Sequence, residues 1–353
     1  MEAKALEVYL IGRPQSGRTT AFQALVGDRE PGHKRITKVP DRRLDRLFEI
    51  FSPARQVHAE IAFCDIFALR AAELTGRQAD RFTAALGEAD MLAVVVRCFG
   101  EIDADGSPLD PVAALDEVLL ELVVADYSVV EKRLQRIEVD LKKGKKELLP
   151  EQAVLQRGLA LLEQEQPLSR LELDEAEERL LRGFQFLTLK PVMVLANVDE
   201  TQAGGEPPAA LVAHAASRGI DTVAFCAQIE AEIAGLEPDE QEAFLADYGI
   251  AEPVRDRVIR SCYHRLDLIS FLTGGGPTEV RAWTIRRGTT AQQAAGTIHS
   301  DLERGFIRAE TVAFAELDRL GSISACRDAG VLRLEGKEYI VLDGDVITFR
   351  FNV

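Results

Sequence analysis

Gly12-Arg13-Pro14-Gln15-Ser16-Gly17-Arg18-Thr19 is the stretch whose reading decides the fold. It follows a short apolar run, Leu6 to Ile11, and leads into an amphipathic stretch from Thr19 to Val26. That succession predicts strand, turn and helix. The octapeptide has the spacing of a Walker A phosphate loop, except that Arg18 stands where lysine is required. Such a loop needs glycines so that backbone N–H groups can curl around a phosphate chain. It also needs a helix N-terminus to oppose negative charge, and a hydroxyl to hold Mg²⁺. The plainer alternative is an ordinary glycine-containing turn. Placement directly between the first strand and a helix favours a phosphate loop, or the descendant of one.

Outward from the loop, apolar runs recur at Ala59–Cys64, Met91–Arg97, Val192–Ala196 and Thr222–Phe225, with helical patterns between most of them. Strands buried on both faces and separated by helices predict a doubly wound, mostly parallel α/β sheet. From about Leu115 to Arg182 the pattern changes. Leu115, Leu119, Leu122, Val129, Leu134, Ile137 and Leu141 recur on a charged background, as do Leu155, Leu159 and Leu162. Two long helices joined at Lys142–Pro150 predict an inserted, antiparallel coiled-coil hairpin. Near the C-terminus, strands are expected at Val280–Ile285, Val331–Leu334, Tyr339–Leu342 and Val346–Phe351, with a helix at Ala291–Leu302. That arrangement suggests a small β-grasp module. The predicted organisation is a P-loop domain over 1–110 and 187–276, a hairpin over 111–186, and a terminal domain over 277–353.

At 353 residues, 46% of them apolar, the chain has room for two or three globular domains. No run of about 18 apolar residues occurs, which excludes a membrane-spanning helix. The N-terminus shows no secretory pattern, and the five cysteines are odd in number and widely spaced. A reducing, cytoplasmic setting and no structural metal are expected. The net charge of −16 argues against unselective nucleic-acid binding. Residues 277–353, however, hold ten Lys/Arg against eleven Asp/Glu, so a local RNA contact there stays open.

Asn197-Val198-Asp199-Glu200 ends an apolar strand and resembles the base-reading NxxE motif of the YchF and Obg-like ATPases. VRAWTIRRGTTAQQAAGTIHSDLERGFIRAE and LEGKEYIVLDGDVITFRFNV resemble that family's C-terminal TGS domain. VEKRLQRIE and RLLRGFQFLTLKPVMVLANVDE look like its coiled coil and the return to the nucleotide domain. The resemblance covers nearly the whole chain. It implies a P-loop domain taking ATP or GTP with Mg²⁺, and association with the ribosome or RNA. Carried over by position, it implies that Gly12 and Gln15, Ser16, Gly17, Arg18, Thr19 and Thr20 wrap the phosphates. Thr19 would supply the Mg²⁺ hydroxyl. Asn197, Val198 and Glu200 would face the purine, with Cys226-Ala227-Gln228 behind it.

The departures from the pattern bear on catalysis. A guanidinium at Arg18 is planar and larger than the compact ammonium of lysine. Asp65-Ile66-Phe67-Ala68 stands where the family has Asp-x-x-Gly, and Leu69 follows it in placing an apolar residue where other GTPases orient water. The segment between Val26 and Val39 is short, and Thr37 is its one candidate for a switch threonine. Arg70 to Leu74 replace a glycine-rich stretch. The expectation is a weak or non-hydrolysing nucleotide-binding protein linked to translation or stress, and a monomer. An active slow ATPase or GTPase switch on the ribosome, or a scaffold without nucleotide, are the alternatives. Lys142, Lys143, Lys145 and Lys146 are expected as a solvated hairpin tip, Trp283 as a packed strand residue and His299 as a structural helix residue. Arg281, Arg286, Arg287, Arg304 and Arg308 make the terminal domain locally basic.

Overall fold

The computed structural model describes residues 5–27, 33–65, 83–103 and 106–352. Its strands are β1 (Leu6–Ile11), β2 (Lys34–Lys38), β3 (Arg55–Val57), β4 (Glu60–Asp65), β5 (Met91–Cys98), β6 (Val192–Val198) and β7 (Asp221–Phe225). They continue with β8 (Leu268–Thr273), β9 (Glu279–Arg286), β10 (Phe306–Ala313), β11 (Arg333–Glu335) and β12 (Asp345–Phe351). Among the described residues they form two six-stranded sheets, ordered β2-β4-β1-β5-β6-β7 and β11-β10-β12-β8-β9-β3. The chain divides into two compact units. One takes in the described parts of Glu7–Arg35 and Phe63–Arg257, the other chiefly Ile36–Ala62 and Val258–Val353.

In the first unit the β1–β5, β5–β6 and β6–β7 pairings are all parallel. Val8, Leu10 and Ile11, Met91 to Val96, and Met193 to Ala196 are buried, which is why these strands read as unbroken apolar runs. The expected doubly wound sheet is therefore present.

The hairpin belongs to this same unit. Its first helix, Pro111–Lys142, starts where the Asp110 carboxylate accepts from the Val112 and Ala113 amides at 2.9 and 3.0 Å. Val130, Leu134 and Ile137 pack with Val154, Leu155 and Leu162 of the second helix, Leu149–Leu162. Arg133 holds Glu151 through two bonds of 2.5 and 2.8 Å. The turn falls where the KKGKKELLP break predicts it. The second helix, however, is shorter than the sequence pattern suggests. It ends at Leu162, Glu165 takes a left-handed φ of 58°, and Pro167 follows. The return runs through a short helix, Glu175–Leu181, and is pinned by a buried carboxylate. Asp126 accepts from the Leu187 amide, the Thr188 amide and the Thr188 hydroxyl at 2.9, 2.8 and 2.7 Å.

The second unit wraps its sheet on the helix Ala291–Ile298. Phe271, Trp283, Ile285, Ala309 and Ile347 pack against Ala291 and Ala294. β8 pairs with β9 and β12, and β3 pairs with β9, so two strands of this sheet precede residue 277. Three further differences are local. β10 is a long strand the pattern did not reveal, because Arg308 and Glu310 interrupt its apolar run. Tyr339–Leu342 makes one bridge, Ile340 to Thr290, and no strand. There the Tyr339 hydroxyl is held by Asp345 at 2.7 Å, which fixes a loop. The predicted helix Ala291–Leu302 breaks at His299, whose extended backbone starts a second helix and whose Nδ1 accepts from the Asp301 amide at 3.2 Å. Trp283 is packed, as expected. Its Nε1 donates to the Thr273 hydroxyl at 2.9 Å, and the Arg281 guanidinium covers its ring at 4.1 Å.

Candidate functional site

The loop between β1 and the helix Arg18–Val26 is shaped by its two glycines. A Cβ on Gly12 would lie 2.6 Å from the Val95 carbonyl and 2.9 Å from Ser16 Oγ. Gly17 has φ of 85°, and a Cβ there would lie 2.2 Å from Asn197 Nδ2. Neither position admits a side chain without rearrangement. Gln15 also adopts a left-handed φ, 62°, and its side chain is exposed. The Ser16 amide closes the turn by donating to the Arg13 carbonyl at 3.2 Å. The loop continues straight into a helix N-terminus.

Asn197, at the end of β6, joins this loop to the segment after β7. It is buried, and its Nδ2 donates to the Ser16 carbonyl at 3.0 Å. Its Oδ1 accepts from the Ala227 amide, also at 3.0 Å. Cys226 and Ala227 are buried at the start of the helix Ala227–Ile233, and burial pushes the Cys226 thiol up. Gln228 and Glu200 are exposed, and Glu200 opens a short turn capped by Asp199. Val198 ends β6. Its side chain is buried as part of β6, where it pairs with Cys98.

At the end of β4 stands Asp65, which the sequence marked only as the start of a switch motif. The Arg18 Nε donates to Asp65 Oδ1, and the Thr19 hydroxyl donates to Asp65 Oδ2 at 3.0 Å. Both carboxylate oxygens are thus engaged by the loop. Two donors nearby have no partner among the described residues: the buried Ser16 hydroxyl and the buried Arg18 Nη1. Thr20 is half-buried in the first helical turn. Thr37, the switch candidate, lies inside strand β2. Ile66 to Leu74, with Ala68 and Leu69, lie outside the described residues.

The donor set answers what the loop can hold. Unpartnered buried N–H and O–H groups call for an acceptor, and a glycine cradle at a helix N-terminus calls for an anion. A phosphate chain satisfies both. Mg²⁺ fits less well: the Thr19 hydroxyl, which donates its proton to Asp65, keeps lone pairs for a metal, but the Arg18 guanidinium on the same carboxylate brings a positive charge. Asp65 already spends an oxygen on that charge. Among the described residues no group of three or more His, Cys, Asp or Glu is arranged to hold a metal ion.

A parallel sheet with a glycine loop at a strand-to-helix junction, and an asparagine clamp behind it, defines a P-loop nucleotide-binding fold. Comparison with known proteins narrows this. Residues 268–352 match the family model YchF-GTPase_C, described as a protein of unknown function, DUF933. The ribosome-binding ATPase YchF of Bacillus subtilis is 37% identical over 99% of this chain and all of its own length. The protein of the same name from Haemophilus influenzae is 39% identical over 98% of both chains. The solved structure of the Schizosaccharomyces pombe YchF GTPase superposes with a TM-score of 0.83, at 26% identity and 99% coverage of each chain. The chain belongs to the YchF family. Among its described residues, no helix is long and apolar enough to cross a membrane.

Proposed function

We propose that this protein binds a purine nucleoside triphosphate between Gly12–Thr20 and the strand ends at Asn197 and Cys226, turns it over slowly if at all, and acts on the ribosome. The observation that carries the reading is the Asn197 clamp. One side chain fixes the Ser16 carbonyl and the Ala227 amide together, so the phosphate loop and the loop behind the base are held as one rigid receptor. A preformed receptor of this kind suits the gripping of both ends of one ligand. Backbone N–H groups of Gln15 to Thr20 would cradle the phosphates, with Ser16 Oγ and Arg18 Nη1 as additional donors. Glu200 and Gln228, exposed at the rim, would meet the base.

The same geometry supports slow turnover. Phosphoryl transfer needs positive charge aimed at the leaving and transferring oxygens. Arg18 directs its Nε to Asp65 instead, so part of that charge is already neutralised. The relatives are named ribosome-binding ATPases, and the exposed Arg286 and Arg287 of the second unit offer a basic contact for ribosomal RNA. For the domains, the P-loop and hairpin sections would form the nucleotide-handling part, and the terminal β-grasp section the docking part.

Isothermal titration with ATP and with GTP tests the reading. Saturable binding of either, lost on replacing Gly17 by Ala, is expected. Heat no greater than dilution for both nucleotides, in every buffer, would leave the fold as a scaffold.

A further inference from the structure

We infer that the Arg18 guanidinium takes the place of the divalent cation, so that this protein binds its nucleotide without metal. The inference rests on the phosphate-loop reading above and deepens it. Four observations converge on it. Asp65 sits beside the loop with both carboxylate oxygens occupied, one by Arg18 Nε and one by the Thr19 hydroxyl. The pair is largely withdrawn from solvent, with 12% of the Arg18 side chain and 8% of the Asp65 side chain exposed. The opposite edge of the same guanidinium is unsatisfied, since Nη1 is buried with no partner among the described residues. Ser16 Oγ, 3% exposed as a residue, is a second buried group without a partner among the described residues.

The chemistry separates an anion from a cation. Guanidinium carries five N–H donors in a rigid fork and no lone pair, so one edge can hold a carboxylate while another meets a phosphate oxygen. A lysine ammonium at this position would be a compact point charge on a flexible stem, with no second edge fixed by the first. Arg18 is therefore built to bridge Asp65 and a phosphate oxygen, the link a metal ion and its water would otherwise provide. A divalent cation beside Asp65 would share that carboxylate with the fixed positive charge of Arg18. Two like charges so close, away from water, repel strongly. The metal would have to displace the guanidinium, leaving more buried donors unpaired.

The test is titration of ATP into the full-length protein in excess EDTA and again in excess Mg²⁺, read as dissociation constants. Agreement of the two within about threefold is expected, and Arg18→Lys is expected to restore a preference for Mg²⁺ of about tenfold or more. Binding by the natural protein that is about tenfold weaker in EDTA would overturn the inference and leave the phosphate-loop reading standing. Metal-independent binding that persists unchanged in a folded Arg18→Lys protein would overturn the role given to Arg18. No binding of ATP or GTP in either buffer would overturn the phosphate-loop reading itself, and this inference with it. The comparison on the natural protein decides the matter even if the variant does not fold.

Discussion

The Asn197 amide donates to the Ser16 carbonyl at 3.0 Å, across 181 positions of sequence, while its oxygen accepts from Ala227. The side chain is buried, so each bond is made where no water can replace it. Asn197→Ala leaves a carbonyl and an amide unpaired and loosens two loops at once. The expected cost is about 1–3 kcal/mol of stability, with a nucleotide affinity lowered by a comparable factor. Chemical denaturation and calorimetry on the same preparation check it. An unchanged dissociation constant would mean that the clamp is purely architectural.

Turnover is the second expectation. With Arg18 tied to Asp65, steady-state hydrolysis of ATP or GTP should fall about 10²–10³-fold below that of the Bacillus subtilis relative assayed side by side. Arg18→Lys should raise it. Matching rates in the two natural proteins would show that the paired arginine still serves the transition state.

Ribosome association is the third. Arg286 is exposed, and Arg287 meets Asp267 at 3.0 Å in an exposed pair of the kind that contributes little to stability. Replacing both by Ala should leave the fold intact, weaken co-sedimentation with ribosomes, and reduce its salt dependence by about one or two phosphate contacts. The association should change little on adding ATP. Binding that requires ATP and ignores both substitutions would point instead to a nucleotide-driven switch.

The thiols supply the fourth. Burial pushes all five up: Cys64 to about 11, Cys98 and Cys262 to about 12, and Cys226 and Cys326 in the same direction. A group whose folded value is raised adds stability that is fully present below its unfolded value, about 8.5 for cysteine, and lost as pH rises through the folded value. Stability should therefore decline between about pH 8.5 and 12, and less steeply in Cys262→Ala. At pH 8 a thiol-specific reagent should label the native protein slowly and the unfolded protein at all five positions. Fast labelling of the native state would contradict the burial.

How much of this was legible beforehand depended on the range of the interaction. Sequence alone determined the parts whose physics is local. The glycine spacing of the loop, the apolar runs of β1, β5 and β6, and the heptad-like leucines each carry their own periodicity or conformational demand. Where a signal needed a distant partner, the sequence was silent or misleading. β10 alternates imperfectly because Arg308 and Glu310 lie on its outer side, and the second hairpin helix stops where Glu165 turns left-handed ahead of Pro167. Asp65 and Arg18 are 47 positions apart, and nothing in either segment announces that one carboxylate answers both the arginine and Thr19. Only the tertiary structure decided that pairing. A side chain's partner is fixed by which strand ends the sheet order brings together, and that order is a property of the whole fold.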